Sequence, residues 1–275
     1  MGYMRDFMVK PGSKVKLRHL DPDFDDGLTK EQAEKAFEKN LRKLDALQEL
    51  LYAEHKRALL VCLQAIDGGG KDGVIRHVFG HMNPQGCRVA AFKQPSQQER
   101  DHDFLWRAHR DAPGLGDIGI FNRSHYEDVL VVRVHNLKPE KFWRRHYDQI
   151  NDFEKNLADN GTHILKFFLH ISKDEQLRRF KDRLDDPAKH WKIAESDYTE
   201  REKWSEYQKA FEDALEKCST GHAPWFVIPA NKKWFRNLAV SDILVKYMDG
   251  LKMEYPETRV DVKEIRKKYF GGKKA

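Results

Sequence analysis

Cysteine is scarce in this sequence, and long hydrophobic segments are absent. The 275 residues include three cysteines, an odd number without the spacing of metal ligands, which is typical of reduced core thiols. No apolar run approaches the roughly 18 residues of a membrane-spanning helix, and the N-terminal segment lacks the hydrophobic region of a signal peptide. We therefore expect a cytoplasmic protein with no membrane partner.

The sequence also lacks a large excess of charge of one sign. Its 50 basic and 44 acidic side chains give a formal net charge of +6, so local clusters of cations matter more than the total. Polyanions are candidate partners, but nucleic acid is not expected among them. The length and the apolar content of 40% suit one large α/β domain or two small ones.

The most informative stretch covers residues 58–73 and reads ALLVCLQAIDGGGKDG. An apolar run, typical of a buried strand, is followed by Gly68, Gly69 and Gly70, then by Lys71 and an apolar pattern at helical spacing. The glycines let backbone N–H groups surround an anion, the helix N-terminus adds its dipole, and the lysine supplies a mobile charge. This arrangement predicts binding of a chain of phosphates, whereas the alternative is a Gly-rich turn with a surface lysine.

The loop departs from the P-loop consensus at two positions. Ala65 replaces the first glycine, and Asp72 replaces the Ser or Thr that holds Mg²⁺. Asp67 is expected to replace the missing hydroxyl, because a carboxylate beside bound phosphates repels them unless a divalent cation lies between.

Strands and helices alternate along the rest of the chain. Apolar runs predict strands at residues 58–63, 87–92, 118–121, 163–171 and 225–228. This alternation predicts a doubly wound parallel sheet in a single domain. We expect an N-terminal arm and long helix over 1–57, the sheet domain over 58–250 with a helical lid at about 173–220, and a basic tail over 251–275.

Capping residues and apolar spacing predict the helices. Residues 1–28 are expected to form an extended arm, and Thr29 with Gln32 predicts a capping box before a long helix. The apolar stripe of that helix fits packing on its own sheet as well as contact with a second subunit. One helix is predicted from Pro139 to about Gly161. Ser172 and Glu175 predict a further capping box, at the start of the first lid helix. Leu177, Phe180 and Leu184 are expected to face inward from that helix.

Polar clusters follow the predicted strands at their carboxyl ends, where ligands bind in an open parallel sheet. Phosphoryl transfer requires aligned oxygens and cations rather than covalent help from the protein. Lys71 and Arg123 suit fixed phosphate contacts, and the arginines of the lid suit closure from above. The structural alternatives are a solvated basic helix face between residues 178 and 192, and capping or helix-dipole roles for Asn122 and its acidic neighbours.

Four segments resemble the family-2 polyphosphate kinases, P-loop enzymes that move a phosphate between inorganic polyphosphate and a nucleotide. The segments are AIDGGGKDG at 65–73, FNRSHYEDVLVVRV at 121–134, RFKDRLDDPAKHWKIAESD at 179–197 and PANKKW at 229–234. The resemblance implies a three-layer α/β/α P-loop kinase fold with a five-stranded parallel sheet and a helical lid. It also implies dependence on Mg²⁺, with Mn²⁺ as a substitute, and polyphosphate as the donor.

The resemblance assigns roles to individual residues. The family's loop aspartate, phosphate-binding lysine, strand-three arginine and lid arginines fall on Asp67, Lys71, Arg123, Arg178 and Arg183, the candidate catalytic residues. Many members have FDRS, with an aspartate as metal ligand, where this chain has Asn122. The pattern NRSHYEDV resembles the subgroup that accepts both nucleoside monophosphates and diphosphates.

Residues and resemblance together complete the set of candidates. The phosphate-binding candidates are Gly68, Gly69, Gly70, Lys71, Asp72, Arg179, Lys181 and Lys192. The nucleotide-binding candidates are Asn122, Arg123, Glu127, Asp128, Asn231 and Lys232, and the metal ligands are Asp67 and Asp128.

The predicted function is transfer of phosphate from inorganic polyphosphate to AMP, ADP or both, with guanine nucleotides as further acceptors, by a homodimer or homotetramer. Two alternatives stay open. One is an ATP-dependent nucleoside monophosphate kinase of the thymidylate kinase type, and the other is a polyanion-binding protein without catalysis.

Overall fold

The computed structural model describes residues 2–271, and its centre is a sheet of five parallel strands. The strands are β1 (Ala58–Gln64), β2 (Cys87–Ala91), β3 (Ile118–Asn122), β4 (Thr162–His170) and β5 (Trp225–Pro229). Their spatial order is β2-β3-β1-β4-β5. The five-stranded parallel sheet is thereby confirmed, and each strand lies within one residue of its predicted bounds.

Helices of two kinds surround the sheet. The longer ones are α1 (Lys30–Glu54), α2 (His146–Asp159), α3 (Lys173–Leu184), α4 (Trp204–Cys218), α5 (Lys233–Gly250) and α6 (Val262–Phe270). The shorter helical turns are Tyr3–Asp6, Leu17–His19, Lys71–Val74, Ile75–Phe79, Pro84–Gly86, Gln97–Arg100, Trp106–Arg110, His125–Asp128, Val131–Val134, Glu140–Arg144, Pro187–Lys192, Glu195–Glu200 and Arg201–Lys203. Within residues 2–271, no helix combines the length and apolar character that crossing a membrane requires.

The helices pack on both faces of the sheet because the strands are apolar on both faces, as parallel strands require. On one face, α1 and α5 contribute Leu51 and Leu244 to a core cluster with Val61 of β1. On the other face, Ile150 of α2 and Phe211 of α4 belong to a second buried cluster, which includes residues of β4 and β5. The three-layer α/β/α fold is therefore confirmed.

The long N-terminal helix packs on its own chain. Thr29 and Gln32 form the predicted capping box, with both reciprocal hydrogen bonds present. The buried residues Leu44 and Leu51 join the core cluster that α5 also lines, and Asn40 Nδ2 donates to Ser241 Oγ at 3.0 Å. Of the two interpretations of its apolar stripe, the structure favours packing within the chain.

The expectation of an extended N-terminal arm is wrong. Tyr3, Val9 and Leu17 are buried, and Met8 pairs with Phe226 at the edge of the sheet in an antiparallel bridge. These side chains are buried one at a time by different parts of the domain, so they leave no periodic pattern in the sequence. In the predicted basic tail, α6 is exposed along its whole length, and residues 272–275 lie outside the described residues.

Two helix predictions need correction. The helix expected from Pro139 is two helices, which meet at Arg145. In the lid, Ser172 Oγ accepts from the N–H of Glu175, but the Glu175 carboxylate binds lid arginines instead of closing the capping box, and an asparagine side chain accepts from the N–H of Ser172. The expected inward direction of Leu177 and Leu184 is also wrong, because both are about half exposed and Phe180 alone of the three is buried.

The strand order creates a crevice at the carboxyl end of β1. This strand lies between β3 and β4, so the connections on its two sides leave in opposite directions, which is where open α/β sheets bind ligands. The register aligns Leu63 with Asn122. The glycine loop and the polar cluster after β3 therefore begin side by side.

Candidate active site

The glycine loop has a backbone conformation that needs its glycines. Gly68 and Gly70 have φ angles of 81° and 98°, in the left-handed region that favours glycine. A Cβ atom on Gly69 would lie 2.4 Å from the Cβ of Ala65. The loop then passes directly into the helical turn that begins at Lys71. This is the strand, loop and helix geometry of a phosphate site.

Lys71 folds back over the loop. Its Nζ donates to the carbonyl oxygen of Ala65 at 3.1 Å, and the side chain is buried. Burial lowers the pKa of Lys71 to about 8, and the positive charge of Arg123 acts in the same direction. A bound phosphate would bring further negative charge to this ammonium group and raise its pKa again.

Arg123 lies between two carboxylates. Its Nη2 is 2.5 Å from Asp67 Oδ1, and its Nη1 is 3.1 Å from Glu127 Oε2. The backbone of Arg123 has a φ of 60°, a conformation that costs a residue with a side chain about 1–2 kcal/mol. Gln64 Nε2 donates to the second oxygen of Glu127 at 3.1 Å. The structure thus brings the predicted residues Asp67, Arg123 and Glu127 together.

Two other predicted residues pair with each other. Asn122 Nδ2 donates to Asp72 Oδ1 at 2.9 Å, and both side chains line the same cleft as Lys71. Asp72 thus provides a hydrogen-bond acceptor where the P-loop consensus has a hydroxyl. The Asn122 amide orients that carboxylate.

Asp128 lies apart from the other predicted metal ligand. It lines a second cavity of about 1380 Å³, together with Phe104 and Arg107, whereas Asp67 lines the cleft at the glycine loop. Burial raises the pKa of Asp128 to about 7. The structure does not place the two aspartates in one cavity.

The lid arginines differ in their surroundings. Arg179 is buried: its Nη1 donates to Gly68 O at 2.9 Å, its Nη2 donates to the carbonyl oxygens of Ala230 and Asn231, and its Nε donates to Glu175. The donors of Arg179, which was predicted to bind phosphate, are therefore already used in hydrogen bonds to backbone carbonyl oxygens. Arg178 is more than half exposed beside Glu175.

The remaining lid cations are divided between the cleft and solvent. Arg183 pairs with Asp197 at 3.2 Å and lines the cleft, as Arg178 and Lys192 do. Lys181 is exposed, pairs with Asp185 at 2.5 Å, and is not among the residues that line the cleft.

The loop after β5 forms the opposite wall. Asn231 Oδ1 accepts from the N–H of Ser172 at 2.9 Å, and its Nδ2 donates to Asp23 at 2.9 Å. Lys232 Nζ is 2.5 Å from Asp25. Both predicted residues line the cleft, and the acidic N-terminal segment holds both of them.

Sequence reasoning missed Arg236, which is 2% exposed. A Cβ on Gly70 would lie 2.1 Å from Arg236 Nη1, and one on Gly73 would lie 2.9 Å from Nη2. The guanidinium group therefore packs directly against the glycine loop. Its position inside the largely apolar helix α5 gives no local signal, because the contact depends on the docking of α5 onto the loop.

A cleft of about 1090 Å³ brings together most of these groups, but Glu127, Asp128 and Lys181 do not line it. Thirteen Lys and Arg residues line it, against four Asp and Glu residues. Such an excess of cations in one concave surface attracts a polyanion. Together with the glycine loop, this surface forms a site suited to phosphoryl transfer along a chain of phosphates.

Known proteins share both the sequence and the fold. The model of the polyphosphate kinase 2 (PPK2) family matches residues 27–256. An AMP/ADP-polyphosphate phosphotransferase of Meiothermus ruber is 51% identical over 95% of this chain and 99% of its own. An ADP-polyphosphate phosphotransferase of Rhodopseudomonas palustris is 45% identical over 92% of each chain.

A solved structure extends the similarity to three dimensions. The crystal structure of polyphosphate kinase 2 from Arthrobacter aurescens TC1 matches with a TM-score of 0.92 at 42% identity, and covers 96% of this chain and 95% of the other. The family model spans the glycine loop, the polar cluster after β3, the lid and the loop after β5. The chain therefore belongs to the polyphosphate kinase 2 family.

Proposed function

We propose that this protein is a polyphosphate-dependent nucleotide kinase that transfers a phosphoryl group from inorganic polyphosphate to AMP and to ADP. The observation that carries the proposal is the cleft beside the glycine loop, with thirteen cationic side chains against four acidic ones. A donor that is itself a long polyanion needs a cationic surface of this extent. The names of the relatives at 51% and 45% identity support the same donor and acceptors.

The chain's own residues account for alignment and charge neutralisation, which are the main requirements of phosphoryl transfer. Lys71 follows the glycine loop and Arg123 follows β3, where they would hold the phosphates on either side of the transferred group. Arg178 and Arg183 would hold the donor chain from the lid. Arg179 and Arg236 instead keep the glycine loop in shape.

Asp67 is the residue that would hold a divalent cation. Its carboxylate lines the cationic cleft beside the glycine loop, and Arg123 pairs with one of its oxygens, Oδ1. Mg²⁺ characteristically uses one or two carboxylates with phosphate oxygens and water. Within residues 2–271, no three His, Cys, Asp or Glu side chains form a ready metal cluster, so phosphates and water would complete the coordination. When bound, Mg²⁺, or Mn²⁺ in its place, would neutralise charge on the transferred group.

The proposal extends to acceptors, location and assembly. Asn122, Asn231 and Lys232 are proposed nucleotide contacts from the cleft, and Asp128 is a proposed contact from the second cavity. GMP and GDP are proposed as further acceptors.

The free cysteines favour a reducing, cytoplasmic compartment. A homodimer or homotetramer is proposed, and a monomeric mass in light scattering would contradict it.

The deciding experiment measures ATP formation from AMP and from ADP with long-chain polyphosphate and Mg²⁺. The wild type is compared with Asp67→Asn and with a matched control, Asp45→Asn, at an exposed position of α1. We expect ATP from both acceptors, loss of at least about 100-fold in kcat for Asp67→Asn because a metal-binding charge is removed, and no loss for the control.

Other outcomes would favour the alternatives. If polyphosphate gives no product while ATP phosphorylates a nucleoside monophosphate, the chain is a kinase of the thymidylate kinase type. If polyphosphate binds without turnover of any nucleotide, the polyanion-binding interpretation is correct.

A further inference from the structure

A cluster of polar side chains lies fully buried next to the segment that carries Arg123 and Glu127. Lys166 of β4 and Glu154 of α2 are 0% exposed, and so are His125 and Tyr126, which lie between Arg123 and Glu127 in the chain. None of these four side chains lines the cationic cleft. The cluster therefore cannot act by touching the donor chain in that cleft.

The hydrogen bonds of the cluster tie the segment to three elements. Lys166 Nζ donates to Glu154 Oε2 at 2.5 Å, to Tyr126 Oη at 2.8 Å and to the carbonyl oxygen of Cys218, at the end of α4, at 2.6 Å. Glu154 Oε1 accepts from the Tyr126 hydroxyl at 2.9 Å and from His125 Nε2 at 3.2 Å. All three protons of the ammonium group and both oxygens of the carboxylate are used.

Stability alone does not account for such a pair. Removing two charges from water is costly, and a buried ion pair can often be replaced by apolar side chains of similar volume without loss of stability. What apolar packing would lose is direction, because hydrogen bonds fix the orientation of their partners. Here the partners are two consecutive residues of the segment that carries the reactive groups.

The backbone of that segment needs support. Arg123 is in the left-handed region, which side chains disfavour, so neighbouring contacts must hold it there. On one side, the N–H of Arg123 donates to Leu63 O at 3.1 Å, which joins it to β1. On the other side, His125 and Tyr126 are held by the buried cluster.

We propose that the Lys166–Glu154 ion pair is a positioning device for phosphoryl transfer. By holding Tyr126 and His125, it fixes the backbone from Arg123 to Glu127, and with it the guanidinium and carboxylate groups at the reacting phosphates. The activity readout of this proposal rests on the proposed function.

The test replaces the ion pair by an apolar pair of similar volume, Glu154→Leu with Lys166→Met. We expect a folded protein with a lower melting temperature, because Tyr126 Oη, His125 Nε2 and the Cys218 carbonyl lose buried partners. Below the melting transition, KM for polyphosphate should stay within about twofold of wild type because the cleft is unchanged, and kcat should fall at least about tenfold because the reacting groups are misplaced. Hydrogen–deuterium exchange of the peptide that covers residues 122–128 should increase.

Two further variants keep the test decisive. Tyr126→Phe retains the ion pair but removes one tether, and should give an intermediate fall in kcat, so it decides the question if the double variant does not fold. Arg57→Met breaks the Glu54–Arg57 pair at the opposite end of β1, and should lower stability without lowering kcat per folded molecule.

A folded double variant with wild-type kcat and unchanged exchange at 122–128 would overturn the proposal, and so would a Tyr126→Phe enzyme of wild-type kcat. Failure of the proposed function is a different result. In that case the wild type makes no ATP from polyphosphate, and the exchange measurement still tests whether the ion pair holds the segment.

Discussion

Lys71 is well placed in the glycine loop, and its ammonium group loses its charge at a lower pH than an ordinary lysine does. Its ammonium group is buried against the Ala65 carbonyl, and burial lowers its pKa to about 8. A lysine whose pKa is lowered is cationic below that value and neutral above it. Since phosphate binding needs the cation, the site should lose affinity for its donor as the pH rises through about 8.

We expect kcat/KM for polyphosphate, measured at saturating nucleotide, to decline above pH 8, because this quantity reports the free enzyme. The decline in kcat should lie at higher pH, since bound phosphate stabilises the ammonium form and raises the pKa. Lys71→Arg is the control: it keeps the charge through this range, so its weaker activity should not show the decline. A flat profile of kcat/KM from pH 7 to 9.5 would contradict this role of Lys71.

At the scale of single residues, the sequence predicted those site residues that belong to a local pattern. Asp67 and Lys71 lie in the loop and turn that follow β1, and Arg123 follows β3 directly, so their placement at one edge of the sheet follows from the topology. Arg236 was missed and Asp128 was placed with Asp67, because both positions depend on how side chains pack after the elements have docked. Spacing along the chain does not encode that information.

Helix α3 carries adjacent arginines with opposite surroundings. Arg178 is largely exposed at the cleft, while Arg179 is buried and donates to Gly68 O and to the backbone after β5. Adjacent positions on a helix point about 100° apart, so Arg178 faces the cleft while Arg179 joins the lid to the glycine loop.

We therefore expect different effects from the same substitution at these two positions. Arg179→Met should lower the free energy of unfolding by about 2–4 kcal/mol, because it leaves buried carbonyl oxygens and Glu175 without their donor. Arg178→Met should leave stability within about 0.5 kcal/mol, since its ion pairs are exposed, but should raise KM for polyphosphate severalfold. Thermal unfolding and steady-state kinetics on both variants test this, and equal melting temperatures would contradict the assignment.

At the scale of elements, periodicity predicted where α3 lies but misjudged its faces. Leu177 and Leu184 fit an apolar stripe with Phe180, yet they are half exposed and Arg179 takes a buried position instead. The helix covers a loop of polar backbone rather than an apolar sheet, so its inner face must supply donors as well as hydrocarbon. An amphipathic pattern assumes an apolar partner, and here that assumption fails.

The whole molecule has a modest net charge, but cationic side chains are in large excess in the cleft. The formal net charge of all 275 residues is +6. The cleft alone is lined by thirteen cationic and four acidic side chains, an excess of nine positive charges. Outside the cleft, many charges are neutralised locally, as in the pair of Arg88 with Asp117. Composition could not reveal this separation, because it depends on which charges the fold brings to one edge of the sheet.

This separation predicts how donor binding responds to salt. A polyanion that contacts several cations releases counterions on binding, so log KM for long-chain polyphosphate should rise linearly with log salt concentration, with a slope of about 0.7 per contact. Tripolyphosphate, which reaches fewer cations, should give a smaller slope. Lys192→Ala removes one contact and should lower the slope for the long chain by about 0.7, whereas Arg88→Ala, outside the cleft, should leave the slope unchanged. Equal slopes for the two donors would show that the cationic cleft does not bind the chain along its length.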